Sequence, residues 1–245
     1  MTNDFGRTFR DEIGRQSLDG TADVTPTVIS QAARAALGAA GAGMTLMEVG
    51  LRLPVGATDE RVEVAEQLQA TLGEGPCLSA ARDNSLLAVT EAGLAARWPA
   101  YHDNLRRRTP FRSVLAIPLW DGERSFAAIN LYATETMFPN LPALPIIRTR
   151  IGVPASALML GAVEDLGDGE VWDDDRLQQE LAGATLGRRL RVWTAVGMIM
   201  EASGLPDSDA LAVLRAHAYS NDLSLDTVGQ RVVDRLLSSG AVLGR

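Results

Sequence analysis

The chain has 245 residues, 46% of them hydrophobic, which is enough apolar material for one large or two smaller packed domains, so the chain is globular. Its net charge of −8 excludes a protein that coats nucleic acid over its whole surface. A single cysteine, Cys77, excludes an internal disulfide, no Cys/His group has metal-ligand spacing, and no stretch approaches about eighteen uncharged apolar residues. The expectation is a reduced, cytoplasmic chain without metal or cofactor, whose start at Met1–Arg7 lacks the apolar run of a secretory leader.

Residues 1–24 are polar, with Phe5, Phe9 and Ile13 at four-residue spacing: either a short amphipathic helix that packs on a partner chain, or a frayed leader. A helix is predicted from Pro26 through Val28, Ile29, Ala32, Ala33 and Leu37 to a stop near Gly41. Met44–Val49 and Leu51–Thr58 read as two strands joined at Gly50, with Pro54 suited to an edge. Val62, Ala65, Leu68 and Leu72 mark the next helix, and Pro76 opens another after two glycines. Leu86–Thr90 is a short strand and Trp98–Arg108 a helix with a basic end. Asp121-Gly122 between Ser113–Trp120 and Arg124–Tyr132 is the clearest hairpin signal in the chain. Strands interleaved with helices over this span indicate an α+β domain with an antiparallel sheet and flanking helices.

Pro139, Pro142 and Pro145 delay the last helix of that domain until near Pro145 or Ile146, and Glu164–Asp175 is an acidic connector. From Arg176 to Ser203 one continuous helix is predicted, with Leu177 and Leu181 continuing a stripe of Leu186, Leu190, Trp193, Gly197 and Met200, widened by Val192, Val196 and Ile199. Gly204 and Pro206 end it. A second helix, capped by Asp207 or Ser208, carries Ala210, Leu211, Leu214 and Ala218 on one face. A third, capped by Ser224, carries Leu225, Val228, Val232 and Leu236.

Within this tail, Arg191-Val-Trp-Thr-Ala195-Val-Gly197-Met-Ile-Met200, Ala210-Leu-Ala-Val-Leu214-Arg215 and Leu225-Asp-Thr-Val228-Gly229 resemble the ANTAR domain, the RNA-binding module of bacterial transcription antiterminators. Upstream, Leu72-Gly-Glu-Gly-Pro-Cys-Leu-Ser, Arg97-Trp-Pro, Arg112-Ser-Val-Leu-Ala-Ile-Pro-Leu and Ala128-Ile-Asn-Leu-Tyr resemble the GAF domain as it occurs fused to ANTAR in actinobacteria. The resemblance implies a leader at 1–24, a GAF sensor domain at 25–163, a linker at 164–175 and a linker helix with a three-helix, all-α ANTAR domain at 176–240. It further implies a homodimer, a small-molecule or protein input to the GAF domain, and tandem RNA hairpins as the target.

No nucleophile and base stand at motif spacing around His102 or His217, so no catalytic activity is expected. Cys77, Trp98, Tyr101, His102, Arg112 and Trp120 either line a ligand pocket or are the ordinary packing of a helix on a sheet; Cys77 reads as a redox handle or as a small buried residue. From Leu186 to Arg245 seven arginines stand against six acids, which leaves 16 basic and 25 acidic residues upstream. Arg188, Arg189, Arg191, Arg215, Arg231 and Arg235, with Tyr219, are the candidate RNA contacts, because guanidinium groups pair with phosphate and stack on bases. On charge alone they read equally as a solvated face paired with acids. The tail departs from the ANTAR pattern at Val196, Ser224 and Asp226, where basic residues are usual, and at Trp193 and Gly229. Those departures keep open a degenerate domain that serves only protein interaction or dimerisation.

Overall fold

The computed structural model describes residues 4–18, 24–48, 51–164 and 187–244, with side chains at 17–18, 48, 51, 162–164 and 187–190 outside the description. The chain divides into two compact units, residues 1–69 with 74–171, and residues 172–245 with 70–73. Among the described residues no helix is long and apolar enough to cross a membrane.

The first unit is built on a five-stranded, wholly antiparallel sheet of β1 (Gly41–Glu48), β2 (Leu51–Ala57), β3 (Leu87–Val89), β4 (Ser113–Trp120) and β5 (Ser125–Ala133), in the order β2-β1-β5-β4-β3. Pro54 lies on the edge strand β2, where its missing N–H leaves no inner ladder bond unmade. The β4–β5 hairpin turns through Asp121–Arg124, with the Asp121 carboxylate accepting from the amides of Glu123 and Arg124. The turn is two residues longer than Asp121-Gly122 alone, and the pairing shifts register between Leu119 and Trp120.

Successive side chains on a strand alternate in direction, so the sheet has two different faces. One is apolar: Met44, Leu115, Ile117, Ile129 and Leu131 pack against α1 (Phe5–Leu18), α2 (Pro26–Leu37) and the run formed by α7 (Leu144–Ile147), a π-helical turn (Arg148–Gly152) and α8 (Val153–Glu164). Phe9 is completely buried in this core with Phe5 and Ile13 beside it, so the stripe expected to meet a partner chain is covered by the protein's own α2 and π-helical turn. Thr25 caps α2 by accepting from the Val28 amide, and Gly38, at φ 63°, ends it. The stop therefore comes before Gly41, which opens β1 instead.

The other face carries α3 (Glu60–Leu72), α4 (Pro76–Arg82), α5 (Glu91–Arg97) and α6 (Pro99–Arg108). Asp59 caps α3 through the Val62 amide. Helix α5 was not visible in the periodicity: seven residues started by a Thr90 cap are too short to show a stripe.

In the second unit, α9 (Gly187–Ser203), α10 (Asp207–Ser220) and α11 (Leu225–Val233) form the expected three helices, and a short α12 (Ser239–Val242), capped by Ser238, follows. The predicted helix from Arg176, with Leu177, Leu181 and Leu186, and the connector beyond Glu164 lie outside the described residues. The buried stripe of α9 is Val192, Ala195, Val196 and Ile199. Trp193 is half-buried and Gly197 and Met200 are exposed, so the core face is rotated from the leading stripe read in the sequence to the residues that widened it. The cause is α11: a Cβ on Gly229 would stand 2.9 Å from Cα of Val192, so the two helices touch backbone to backbone along the Val192 side.

Gly204 takes the left-handed conformation at φ 73° and ends α9. Pro206 occupies the cap position of α10 without a side-chain bond, and Asp207 is already helical, so neither Asp207 nor Ser208 is the cap. Ser224 caps α11 through the Thr227 amide. That helix closes at Arg235, φ 60°, where the amides of Leu236 and Leu237 both return to the Arg231 carbonyl. The reversal turns Leu236 outward, leaving it 77% exposed rather than on the apolar side. Replacing Gly229 by Ala should force α9 and α11 apart and lower the stability of the second unit by about 1–3 kcal/mol, read as a depressed thermal transition by circular dichroism.

Candidate functional site

The polar face of the sheet begins with two glycines. A Cβ on Gly41 would clash with the Val62 side chain and one on Gly43 would meet Glu66 at 2.9 Å, so α3 lies close against β1 only because both side chains are absent. That approach drives the Glu66 carboxyl into the sheet, where it is 1% exposed. Its Oε2 accepts from Thr45 Oγ1 (2.5 Å) and Asn130 Nδ2 (2.9 Å), and its Oε1 accepts from the Tyr132 hydroxyl (2.7 Å). Almost one turn further along α3, Gln69 donates to the Tyr132 hydroxyl (3.3 Å) and accepts from the Cys77 amide (3.0 Å), which fixes the start of α4. Phe111 stacks on Tyr132 with ring centroids 4.9 Å apart.

Burial dominates the electrostatics. Desolvation raises the Glu66 pKa against the opposing pull of its three donors, and it raises those of Tyr101 and Tyr132 well above the usual phenol range. Cys77, buried beside Glu66, is pushed up to about 12. The thiol is buried, and desolvation favours its protonated form. Arg52, on β2, is lowered by its own desolvation.

Three polar atoms here are closed to solvent and have no hydrogen-bond partner: the Tyr101 hydroxyl, Asn130 Oδ1 and Arg52 Nε. Buried polar groups are nearly always satisfied, so these atoms are exceptions to the usual pairing.

The six pocket candidates of the sequence do not share one cavity. Cys77 and Tyr101 belong to the Glu66 cluster. His102 and Arg112 turn to Glu91 instead, at 3.7 and 3.8 Å, joined there by Arg106 at 3.4 Å, and Arg112 also donates to the carbonyls of Thr109 and Phe111. Trp98 is buried under the Arg97 guanidinium, 4.3 Å from the ring centroid. Trp120, 40% exposed, lines a separate cleft of about 310 Å³ with Arg148, Val153 and Ser156. Sequence reasoning missed Glu66, Gln69, Asn130 and Arg52. The signal was present: Glu66 and Gln69 interrupt the apolar stripe of α3, and Asn130 sits inside an apolar strand.

In the second unit Arg191, Arg231, Arg235 and Tyr219 are exposed, and Arg215 is half-buried. Arg191 Nη1 pairs with Asp234 Oδ1 at 3.0 Å. The Arg188 and Arg189 side chains lie outside the described residues. Among the described residues no group of three acidic, His or Cys side chains is placed to hold a metal.

Because the folded Glu66 holds its proton above the ordinary carboxylate range, the unfolded chain ionises first as pH rises, and stability falls from that range up to the raised pKa. The difference in urea-unfolding free energy between wild type and Glu66→Gln should therefore shift against wild type as pH rises above the ordinary carboxylate range. Native Cys77 should resist a thiol reagent at pH 8 and react only on denaturation.

No protein-family model matches the chain. No curated protein matches it either. Among solved structures it is similar to the GAF domain of a phosphoenolpyruvate-protein phosphotransferase from Acinetobacter, at 10% identity and a TM-score of 0.48 over 69% of this chain and 100% of that one. The corresponding GAF domain from Coxiella burnetii shows 12% identity and a TM-score of 0.48 over 66% of this chain and 98% of that one. A GAF domain from A. aeolicus in an inactive state shows 12% identity and a TM-score of 0.44 over 64% of this chain and 99% of that one.

Proposed function

We propose that the chain is a signal-responsive transcription antitermination regulator: the first unit a GAF-type sensor of a small ligand, the second an ANTAR-type unit that binds hairpin RNA, with two copies reading paired hairpins. The observation that carries the RNA reading is how the second unit sorts its residues. Val192, Ile199, Leu214, Val228 and Val232 are fully buried, while Arg191, Arg231, Arg235 and the 53% exposed Tyr219 stand outside. Guanidinium groups and one exposed aromatic ring are the chemistry that phosphates and unstacked loop bases require. The sequence motifs of the tail support the same assignment.

A second reading, a degenerate ANTAR bundle used only for protein interaction, draws on two observations. Arg191 is already paired with Asp234, and Asp226 is buried in the first turn of α11, where basic residues are usual.

Electrophoretic binding to a tandem-hairpin RNA separates the two. If RNA is the target, changing Arg191, Arg231 and Arg235 together to Ala weakens binding by about tenfold or more and flattens its salt dependence. Asp234→Asn, which releases Arg191, tightens binding by up to about fivefold, the range of an exposed ion pair. Absence of binding by the intact chain at low salt, with an Asp234→Asn variant equally silent, would favour the protein-interaction reading.

A further inference from the structure

The pairing of β3 with β4 ends at Leu87 opposite Ala116, and beyond it β4 runs on beside the π-helical turn and α8. This end of β4 does not recruit a further strand. Pro118 has no N–H, and the Trp120 N–H donates to Ser156 Oγ (3.0 Å), whose hydroxyl donates to the Gly152 carbonyl (2.9 Å). Here lies the cleft of about 310 Å³ beside Trp120, at the lower end of the range for small-molecule sites. Its helical wall carries Arg148, Val153, Ala157 and Leu160, and its strand wall Pro118 and Trp120.

Both walls depart from regular geometry at this cleft. The helix widens to a π-turn over Arg148–Gly152, and the β4–β5 register shifts between Leu119 and Trp120, with Trp120 left 40% exposed. Such departures re-aim side chains and recur at functional sites. What they bring together is one cation and one aromatic ring. The half-buried Arg148 guanidinium donates through Nη1 to the Asn84 carbonyl (3.1 Å), a bond that anchors it and uses one of its five N–H donors. Among the described residues no carboxylate pairs with it. Asp121 also lines the cleft, but its carboxylate accepts from the amides of Glu123 and Arg124 and stands 3.8 Å from the Arg124 guanidinium.

An anion answers Arg148, and a flat apolar body answers Trp120, Val153 and Leu160. A cation would lie well on the indole but face the guanidinium, and an inorganic anion would leave the apolar walls uncovered. We propose that this cleft binds a small aromatic carboxylate, its carboxylate on the Arg148 guanidinium and its ring against Trp120 and the aliphatic wall. The inference rests on the sensor reading of the first unit for its signalling role and names the class of the ligand.

The test is calorimetric titration of the full chain with benzoate, phenylacetate and indole-3-acetate, with their amides and hexanoate as the uncharged and the non-aromatic counterparts. At least one of the three acids should bind, its amide and hexanoate about tenfold or more weaker, as expected for loss of a charged hydrogen bond or of the ring contact. Arg148→Gln should lose about tenfold and Trp120→Ala about fivefold while keeping the far-ultraviolet spectrum. Val153 is 59% exposed, so its replacement leaves the core intact. Val153→Glu should weaken binding about fivefold or more at low salt, and Val153→Lys should not. No binding of any of the three acids at millimolar concentration, equal binding of an amide or of hexanoate, or indifference to Val153→Glu overturns the proposal.

Two further readouts separate the site from the sensor reading. If the acids fail, a molecule retained from cells in native mass spectrometry, and not lost by Val153→Glu, overturns this site and keeps the sensor. Binding at the cleft that leaves the affinity for tandem-hairpin RNA unchanged upholds the site and overturns its part in sensing.

Discussion

The close approach of α3 to β1 is the constraint from which the first unit's chemistry follows. Two glycines remove the side chains that would hold a helix off a sheet, and the space left is too small for an apolar layer. What fills it is a carboxyl group that ties α3 to β1 through Thr45 and to β5 through Asn130 and Tyr132. Gln69 then passes the same order to α4 by holding the Tyr132 hydroxyl and the Cys77 amide together. Shifting α3 by one helical position would break all of these at once, because no alternative donor on β1 faces that side: Gly41 and Gly43 have no side chain.

The opposite face of the sheet makes this arrangement affordable. Burying a carboxyl costs free energy even when its oxygens are bonded. The apolar side, with Phe9, Ile29, Leu115, Ile117 and Ile129 completely buried between the sheet and its covering helices, supplies the offset. The first unit thus separates its tasks by strand parity in β1 and β5: residues of one parity, such as Met44, Ile129 and Leu131, hold the fold, and those of the other include Thr45, Asn130 and Tyr132. The second unit separates them by helix face instead, its interior closed around the Gly229–Val192 contact and its arginines outside.

Periodicity carried most of the architecture. The helices from Pro26, Glu60 and Asp207, the hairpin at Asp121-Gly122 and the Ser224 cap all leave local marks, because caps, turns and stripes are written in neighbouring residues. What escaped depends on partners distant in sequence. The rotated face of α9 is set by Gly229, 37 positions after Val192, and only the packed pair shows why Val192 rather than Trp193 is inside. The pocket candidates were chosen for residue type, and type did not distinguish Tyr101, which joins the Glu66 cluster, from His102 beside it, which turns to Glu91. The burial of Glu66 is decided by glycines on another element, Gly41 and Gly43.

The ends of the sheet have a bearing on how copies of the chain avoid one another. A sheet margin offers unpaired amides and carbonyls to any extended chain that reaches it. Here one margin, β2, is interrupted by Pro54 and by the register irregularity opposite it, and the other, β3, is only three residues long. Neither gives a neighbouring strand a run long enough to zip onto. Among the described residues the sheet is thereby guarded at both margins against strand addition.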